Sequence, residues 1–237
     1  MKYMLAGVAM TAALAVTTTQ ARATLIVWAD IGGTIFTCSD NAACDTNPAV
    51  GNLQIANQSI GGVAVNTSIQ TSTKGSTNIL NTSSTSLINN NATATAINFI
   101  VGDTDFTGPI TSFVTSGSGV FQSTPTNVGS TITLNWFDDP TNTQGAVGGS
   151  TPGTLIDTFT HTQDTLADSF SHNGAGAVTD GALFSMTEQA IGTLGPGGQL
   201  LNRGQTEIKP QAAVPEPASL ALLGIGLLGM GLVRRKR

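Results

Sequence analysis

Apolar side chains in the middle of this chain recur at every second position, not at every third or fourth. Between residues 131 and 136, isoleucine, leucine and tryptophan alternate with threonine and asparagine, and residues 63–69 follow the same period. A period of two puts apolar side chains on one face of a strand and polar ones on the other. Between residues 24 and 209 only 87–96 and 162–170 have a pattern that tolerates a helical turn. The chain is therefore predicted to form strands.

Further strands are predicted in stretches that are apolar or β-branched and bounded by Gly, Asn or Asp: 25–36, 97–101, 110–114, 183–194 and 200–208. The last two are joined by a turn at Gly195-Pro196-Gly197-Gly198. Many short strands with such turns predict an all-β domain over residues 24–209, an antiparallel β-sandwich or jelly-roll-like barrel. A β-solenoid is the alternative, but no fixed repeat of the length it needs occurs.

The first 23 residues are predicted to be a secretory signal peptide. Lys2 is followed by an apolar run over residues 4–16, and the segment ends in Ala21-Arg22-Ala23. A basic start, an apolar middle and small residues at the −3 and −1 positions are what signal peptidase requires. Cleavage is expected after Ala23. The alternative is an uncut membrane anchor, for which the apolar run is short.

The charge of the exported part is strongly negative. Between Thr24 and Pro217 the chain has 3 basic and 14 acidic residues, which gives a net charge of −11. Nucleic-acid binding is disfavoured, because contacts with phosphates need basic side chains. An acidic surface suits solubility outside the cell.

The only two cysteines of the chain, Cys38 and Cys44, lie close together in the sequence. An even number of cysteines in an exported chain favours a disulfide, which in so small a loop stabilises the fold by about 2 kcal/mol. The alternative is a pair of free thiols with a redox or metal-binding role. Their spacing is not Cys-x-x-Cys, and no histidine nearby completes a zinc site.

The C-terminus has three parts: a short motif, an apolar run over residues 218–233 and a basic end. The motif is Val214-Pro215-Glu216-Pro217, and the basic end is Arg234, Arg235, Lys236 and Arg237. This tail resembles the PEP-CTERM sorting signal of exopolysaccharide-producing Gram-negative bacteria, a tail also known as an ice-binding protein C-terminal domain. The resemblance implies recognition by an exosortase, cleavage near Pro215-Glu216-Pro217 and release to the outer surface or matrix.

The physical properties of residues 210–237 agree with a temporary anchor. The apolar run 218–233 is predicted to be a single transmembrane helix. At ~1.5 Å per residue it is slightly short for ~30 Å of hydrocarbon. The basic end stays cytoplasmic by the positive-inside rule, so the domain is held on the far side of the inner membrane.

Few residues suggest chemistry, and no catalytic residue, cofactor or metal site is predicted; we expect no enzyme. Asp157-Thr-Phe-Thr-His161 resembles Asp168-Ser-Phe-Ser-His172, with Asp, Phe and His on one strand face. Two paired strands of similar pattern are the simpler interpretation, and a metal site from His161, Asp164, Asp168 and His172 is the other. Asp103, Asp105, Asp138 and Asp139 are interpreted as solvated turn carboxylates, with Ca²⁺ ligation in a surface loop as the alternative.

Two functions from different classes follow. The first is a structural or adhesive protein of the cell surface or extracellular matrix, with exosortase, the inner membrane and exopolysaccharide as partners. The second is a secreted carbohydrate-binding module or polysaccharide-acting enzyme. The residues named for a sugar platform in the second are Trp28, Trp136, Phe137 and Asp138.

Overall fold

The structure is a computed structural model that describes residues 25–72, 78–122, 128–202 and 206–211, apart from the side chains of 70–72, 202 and 206–211. These residues form thirteen strands, as follows: β1 (Ile26–Ile31), β2 (Thr34–Ser39), β3 (Asn52–Ile60), β4 (Val63–Ser72), β5 (Ile79–Asn89), β6 (Thr95–Thr107), β7 (Ile110–Gln122), β8 (Thr131–Asp139), β9 (Thr154–Thr162), β10 (Ala167–Asp180), β11 (Leu183–Leu194), β12 (Gln199–Asn202) and β13 (Thr206–Gln211).

The strands form two antiparallel sheets. Sheet A has the order β2-β1-β6-β11-β8-β9, and sheet B has the order β10-β7-β12-β5-β4-β3, with β13 also between β7 and β5. All the strand pairs are antiparallel. The predicted all-β, sandwich-like fold is confirmed, and the β-solenoid alternative is wrong.

The core lies between the two sheets and follows the predicted alternation. In β8, Ile132, Leu134 and Trp136 are buried, whereas the threonines and the asparagine between them are half-buried on the outer face of sheet A. In β4, Val63, Val65 and Ile69 are fully buried. At about 25 cal/mol per Å² of apolar surface removed from water, this interior is the main source of stability.

Several sequence predictions about secondary structure are wrong. Strands β3 and β5 were not expected, because their serine, threonine and asparagine content masks the period of two, and β9 and β10 were expected only over 157–161 and 168–172. No helix forms in 87–96 or 162–170, where the strands are joined by bends. Serine, threonine and asparagine bond to nearby backbone groups and so favour turns over helices.

One 3₁₀ turn, Val147–Gly149, is the only helical element among the described residues. No helix in this part of the chain has the length and apolar character that a membrane crossing needs. The predicted signal peptide 1–23 and transmembrane helix 218–233 lie outside the described residues.

The last two strands occupy the interior of sheet B. β12 pairs with both β5 and β7, and β13 pairs with the same two strands further along. The predicted single strand 200–208 is therefore divided into β12 and β13, which lie one after the other between β5 and β7.

Asn89 joins the turns at one end of the sandwich. Its side chain is fully buried and its Nδ2 donates to the carbonyl oxygens of Thr93, Leu194 and Gly195 at 3.0, 2.9 and 2.9 Å. Its Oδ1 accepts from the amide of Asn91 at 3.0 Å and from a threonine hydroxyl at 3.1 Å. A single amide thus satisfies backbone groups from both sheets.

Candidate functional site

The two ends of the described chain give the sandwich a direction. We call the end with the Gly108-Pro109 turn between β6 and β7 the proximal end, and the opposite end distal. β1 runs towards the distal end, since Ile26 pairs with Gly102 and Ile31 with Ile97 on β6. β13 runs towards the proximal end, where Gln211 pairs with a residue near the start of β7. The chain therefore enters β1 from the proximal side and leaves β13 towards it.

The loop between β2 and β3 is bridged by the two cysteines. Cys38 and Cys44 are disulfide-bonded, with an S–S distance of 2.05 Å. The Asp45 carboxylate accepts hydrogen bonds from the amides of Asn41, Asn47 and Gln54 at 2.9, 2.8 and 2.9 Å. The bridge and this carboxylate together hold a long loop in one conformation.

A row of polar side chains crosses the outer face of sheet A. Gln189 donates to Asn98 at 3.0 Å and accepts from Asn135 at 3.0 Å, and Asn135 accepts from the Thr158 hydroxyl at 2.7 Å. We call these four residues the amide row. A shallow groove of about 470 Å³ lies beside it, lined in part by Asp30. Amides and hydroxyls in such an array can exchange hydrogen bonds with the hydroxyl groups of a sugar.

The predicted sugar platform does not form. Trp136 is 0 % exposed between the sheets, Trp28 is 9 % exposed and Asp138 is 5 % exposed. Trp28 lies on the outer face of sheet A, but the segment after β8 covers it: a Cβ at Gly149 would be 2.9 Å from its ring. The alternation of β8 turns Trp136 inwards, so neither indole is free to stack on a sugar ring.

The two similar segments face each other across the sandwich. Residues 157–161 lie on β9 of sheet A and residues 168–172 on β10 of sheet B, so the prediction that the two strands pair is wrong. Asp, Phe and His do share the inner face of each strand, as predicted. The mutual orientation is antiparallel, which brings the Asp of each segment next to the His of the other.

The contacts between these segments are reciprocal. His161 Nε2 is 2.9 Å from Asp168 Oδ2, and His172 Nε2 is 2.9 Å from Asp157 Oδ2. The Phe159 ring lies between the two imidazoles, 6.4 Å from that of His161 and 4.9 Å from that of His172. We call these five residues the edge ladder. It connects the two sheets along one side of the sandwich, where β9 is the edge strand of sheet A and β10 is the edge strand of sheet B.

Two features support the edge ladder: the absence of a side chain at Gly174 and the lowered pKa of Asp168. A Cβ at Gly174 would be 1.9 Å from the Asp157 carboxylate, so a side chain there would displace that carboxylate from the ladder. Burial alone would raise the pKa of Asp168, but hydrogen bonds from the Asp164 amide and from His161 outweigh burial and hold the pKa below its usual value. The carboxylate therefore stabilises the fold above about pH 4, and this contribution is lost as the pH falls through the lowered pKa.

Three carboxyl groups lie inside the proximal end. Asp138, Asp139 and Asp180 are only 4–5 % exposed, at the last positions of β8 and β10. Burial, then the charge of Asp180, raises the pKa of Asp138 to about 8. Burial also raises the pKa of Asp180; a hydrogen bond with Asp138 opposes this rise, and the charge of Asp139 adds to it. For Asp139, hydrogen bonds from Thr141 and Thr143 outweigh burial and lower the pKa.

The structure corrects the interpretation of the aspartates as solvated turn residues. Asp103, Asp138 and Asp139 are 1 %, 5 % and 4 % exposed. Asp105 is half-buried, with φ of 62°, and its Oδ1 accepts from Asn142 at 2.7 Å. Within the described ranges, no three His, Cys, Asp or Glu side chains are placed to hold one metal ion, so the predicted alternative of His161, Asp164, Asp168 and His172 does not form.

The remaining predicted site residues lie outside the described part of the chain: Ala21, Ala23, Val214, Pro215, Glu216, Pro217, Arg234, Arg235, Lys236 and Arg237. A family model described as the PEP-CTERM protein-sorting motif matches residues 213–237. The chain ends in a PEP-CTERM sorting motif. This motif implies an exported protein whose precursor is anchored in the membrane until an exosortase processes it. The match begins two residues after β13 ends at Gln211.

The domain that precedes the PEP-CTERM motif has only distant similarities. No curated protein matches the chain. The enzymatically active domain of bacteriophage CBA120 tailspike protein 4 is 11 % identical, with a TM-score of 0.30, over 62 % of this chain and 19 % of the tailspike chain. This chain thus spans about a fifth of the tailspike chain.

Two further solved structures cover more of their own length. TmCBM61 in complex with beta-1,4-galactotriose is 8 % identical, with a TM-score of 0.32, over 61 % of this chain and 86 % of its own. The family 11 carbohydrate-binding module from Clostridium thermocellum is 10 % identical, with a TM-score of 0.28, over 80 % of this chain and 98 % of its own. The TM-scores of all three structures are below 0.5.

Three groups that the fold makes prominent were not predicted from the sequence: Asp180, Asn89 and the amide row. Asp180 lies in a stretch of glycine, alanine and threonine without a recognisable motif. One signal was present, since a carboxylate at the inward end of an alternating strand has to meet the opposite sheet. The partners of all three groups depend on strand order, which no local pattern reveals.

Proposed function

We propose that this protein is a structural or adhesive component of the cell surface or extracellular matrix of an exopolysaccharide-producing Gram-negative bacterium. The observation that carries the proposal is the PEP-CTERM motif at residues 213–237. An exosortase removes the tail near Pro215-Glu216-Pro217, and the domain passes from the inner membrane to the surface or the matrix. The signal peptide ends at Ala23 in this scheme.

The architecture of the domain supports this role. Both ends of the described chain are directed to the proximal side, so the distal end of the sandwich lies opposite the point where the chain leaves β13. A surface protein that contacts neighbours needs its faces free while its anchor is still attached. The disulfide and the edge ladder give the domain the rigidity that suits a building element outside the cell.

We propose a role without catalysis. The histidines, which are the side chains best suited to acid–base work near neutral pH, are both engaged in the edge ladder. Each imidazole is bonded to an aspartate and packed against aromatic rings in the sandwich interior. Such surroundings favour a structural role for His161 and His172.

A second candidate function is the binding of a neutral polysaccharide on the outer face of sheet A. The amide row and the groove beside it favour this function. Because no indole is available there, the affinity of one domain would rest on hydrogen bonds, which are modest in water. Weak binding by many copies in a matrix still gives high avidity.

A deletion strain tests the proposed role. We expect loss of the gene to reduce surface coating and cell aggregation, and the wild-type gene to restore both. A deletion strain with normal coating and normal aggregation would contradict the structural role.

Complementation with variants separates the two candidate functions. The double change Asn135→Ala and Gln189→Ala interrupts the amide row without touching the core, and Ser171→Ala on the outer face of sheet B is the control. A purely structural role predicts full restoration by both genes. Polysaccharide binding predicts restoration by the control only, together with loss of retention on immobilised exopolysaccharide.

A further inference from the structure

The inward-facing rows of two strands from opposite sheets both end in a carboxyl group. Ile132, Leu134 and Trp136 in β8 are followed, at the same period, by Asp138, and the inner face of β10 ends in Asp180. Each carboxyl residue is 5 % exposed. The proximal end of the core is therefore closed by two acids that face each other from sheet A and sheet B.

Among the described residues only the carboxyl of Asp138 can donate to Asp180. Both oxygens of Asp180 are buried without any other hydrogen-bond donor, and the hydrogen bond between the two carboxyl groups needs the proton that Asp138 holds. The third acid, Asp139, does not relieve them, since its oxygens accept from the amides and hydroxyl of Thr141 and Thr143. The side chains that the structure describes include no lysine or arginine.

Buried acceptors without donors are rare in native proteins, and a bound ion is one way in which such oxygens are satisfied. The shared proton satisfies the pair only while Asp138 stays protonated. Once both groups are ionised the two carboxylates repel each other, and removal from water strengthens the repulsion. A positive charge between them removes both costs. Because the pair joins the two sheets, that charge would also cross-link them.

We propose that Asp138 and Asp180 bind one Ca²⁺ ion between the two sheets. Ca²⁺ prefers carboxylate and carbonyl oxygens and accepts six to eight ligands in flexible geometry. Among the described residues no group of three acidic or histidine side chains is placed to hold one ion, since the nearby Asp139 is bonded to Thr141 and Thr143, so the proposed shell is completed by backbone carbonyls and water. A site of this composition belongs with those of extracellular modules, whose Kd is about 10⁻⁴–10⁻³ M.

The position of the site gives it a consequence for the whole domain. Asp180 pairs with Ile110 at the start of β7, and Gln211 at the end of β13 pairs with Ser112 two residues further along the same strand. The cation thus holds the sheets together close to the point where the chain leaves the domain. Full stability is reached where Ca²⁺ is abundant, which is outside the cytoplasm.

The test uses the protein isolated from its native source, freed of metal with a chelator. Isothermal titration with CaCl₂ measures the stoichiometry, and thermal unfolding with and without about 5 mM CaCl₂ measures the shift. We expect one ion per chain and a rise in Tm of about 3 °C or more at that concentration. Asp138→Asn and Asp180→Asn should each abolish both effects, whereas Asp30→Asn, on the outer face of sheet A, should leave both unchanged.

The variants remain interpretable because an amide in place of a carboxylate keeps the shape and removes repulsion. Without Ca²⁺ they should unfold at or above the Tm of the wild type. Two results would overturn the proposal. Ca²⁺ bound equally by both variants would place the ion elsewhere. No bound Ca²⁺, together with a Tm that falls between about pH 4 and pH 8 more steeply in the wild type than in Asp138→Asn, would show that the pair holds only a proton.

Discussion

Ending the chain after Gly198 is expected to abolish folding, whereas ending it after Gln211 leaves the domain folded. The shorter chain lacks β12 and β13, which lie between β5 and β7 inside sheet B. Their removal leaves the facing edges of β5 and β7 without hydrogen-bond partners and exposes part of the core to water. Each buried backbone group without a partner costs about 1–3 kcal/mol, so the loss exceeds the 5–15 kcal/mol that a domain of this size has in total.

Far-UV circular dichroism and thermal unfolding of the two truncated chains measure this effect. The chain that ends at Gln211 is the matched control, since it retains every described strand and lacks only the residues after β13. A cooperative transition is expected in that chain alone. Equal transitions in both chains would show that the last strands are not part of the folding unit.

This arrangement bears on the sorting step. The PEP-CTERM motif begins at residue 213, and β13 ends at Gln211. Cleavage near Pro215-Glu216-Pro217 therefore removes no strand from sheet B. The domain can be complete before processing and remain complete after it.

Asn89→Ala is expected to destabilise the domain by about 3 kcal/mol, the second large effect. The change removes the Asn89 donor from the carbonyl oxygens of Thr93, Leu194 and Gly195, of which Gly195 keeps the amide of Gly198. It also removes the acceptor for the Asn91 amide. Because Asn89 is 0 % exposed, water has little access to replace these bonds.

Asn135→Ala is the matched control for this prediction. It removes the same side chain from the outer face of sheet A, where Asn135 is only half-buried and water can take its place. Chemical denaturation should show a loss below about 1 kcal/mol for this variant. A loss at Asn89 no larger than at Asn135 would mean that the distal turns are held by other contacts.

Strand positions could be predicted where large apolar residues alternate with polar ones, as in β8 and β4. They could not be predicted where the inward positions are themselves small or polar. On the inner face of β10, phenylalanine and valine share the row with aspartate, histidine and glycine. Glycine at position 174 leaves room for the Asp157 carboxylate, which fills the space a side chain would occupy. In such a strand the burial of the side chains still alternates with a period of two, but their hydrophobicity does not.

Contacts between segments that are distant in the sequence were the larger part of what could not be predicted. The similarity between residues 157–161 and 168–172 was visible in the sequence, but its meaning depends on which sheet each strand joins. The same holds for Asp138, which was expected at the surface and is covered by a sheet that the local sequence does not reveal. The sorting tail, by contrast, could be identified from sequence because its motif, apolar run and basic end are contiguous.

The measurement that tests the sorting role most directly is the intact mass and location of the native protein, in cells with and without the exosortase. In normal cells we predict a species that begins at Thr24, ends near Pro217 and lies outside the inner membrane. Without the exosortase we predict that the tail is retained and the protein stays in the inner membrane. An uncut species in the membrane of normal cells would contradict this role, because the tail would then be a permanent anchor.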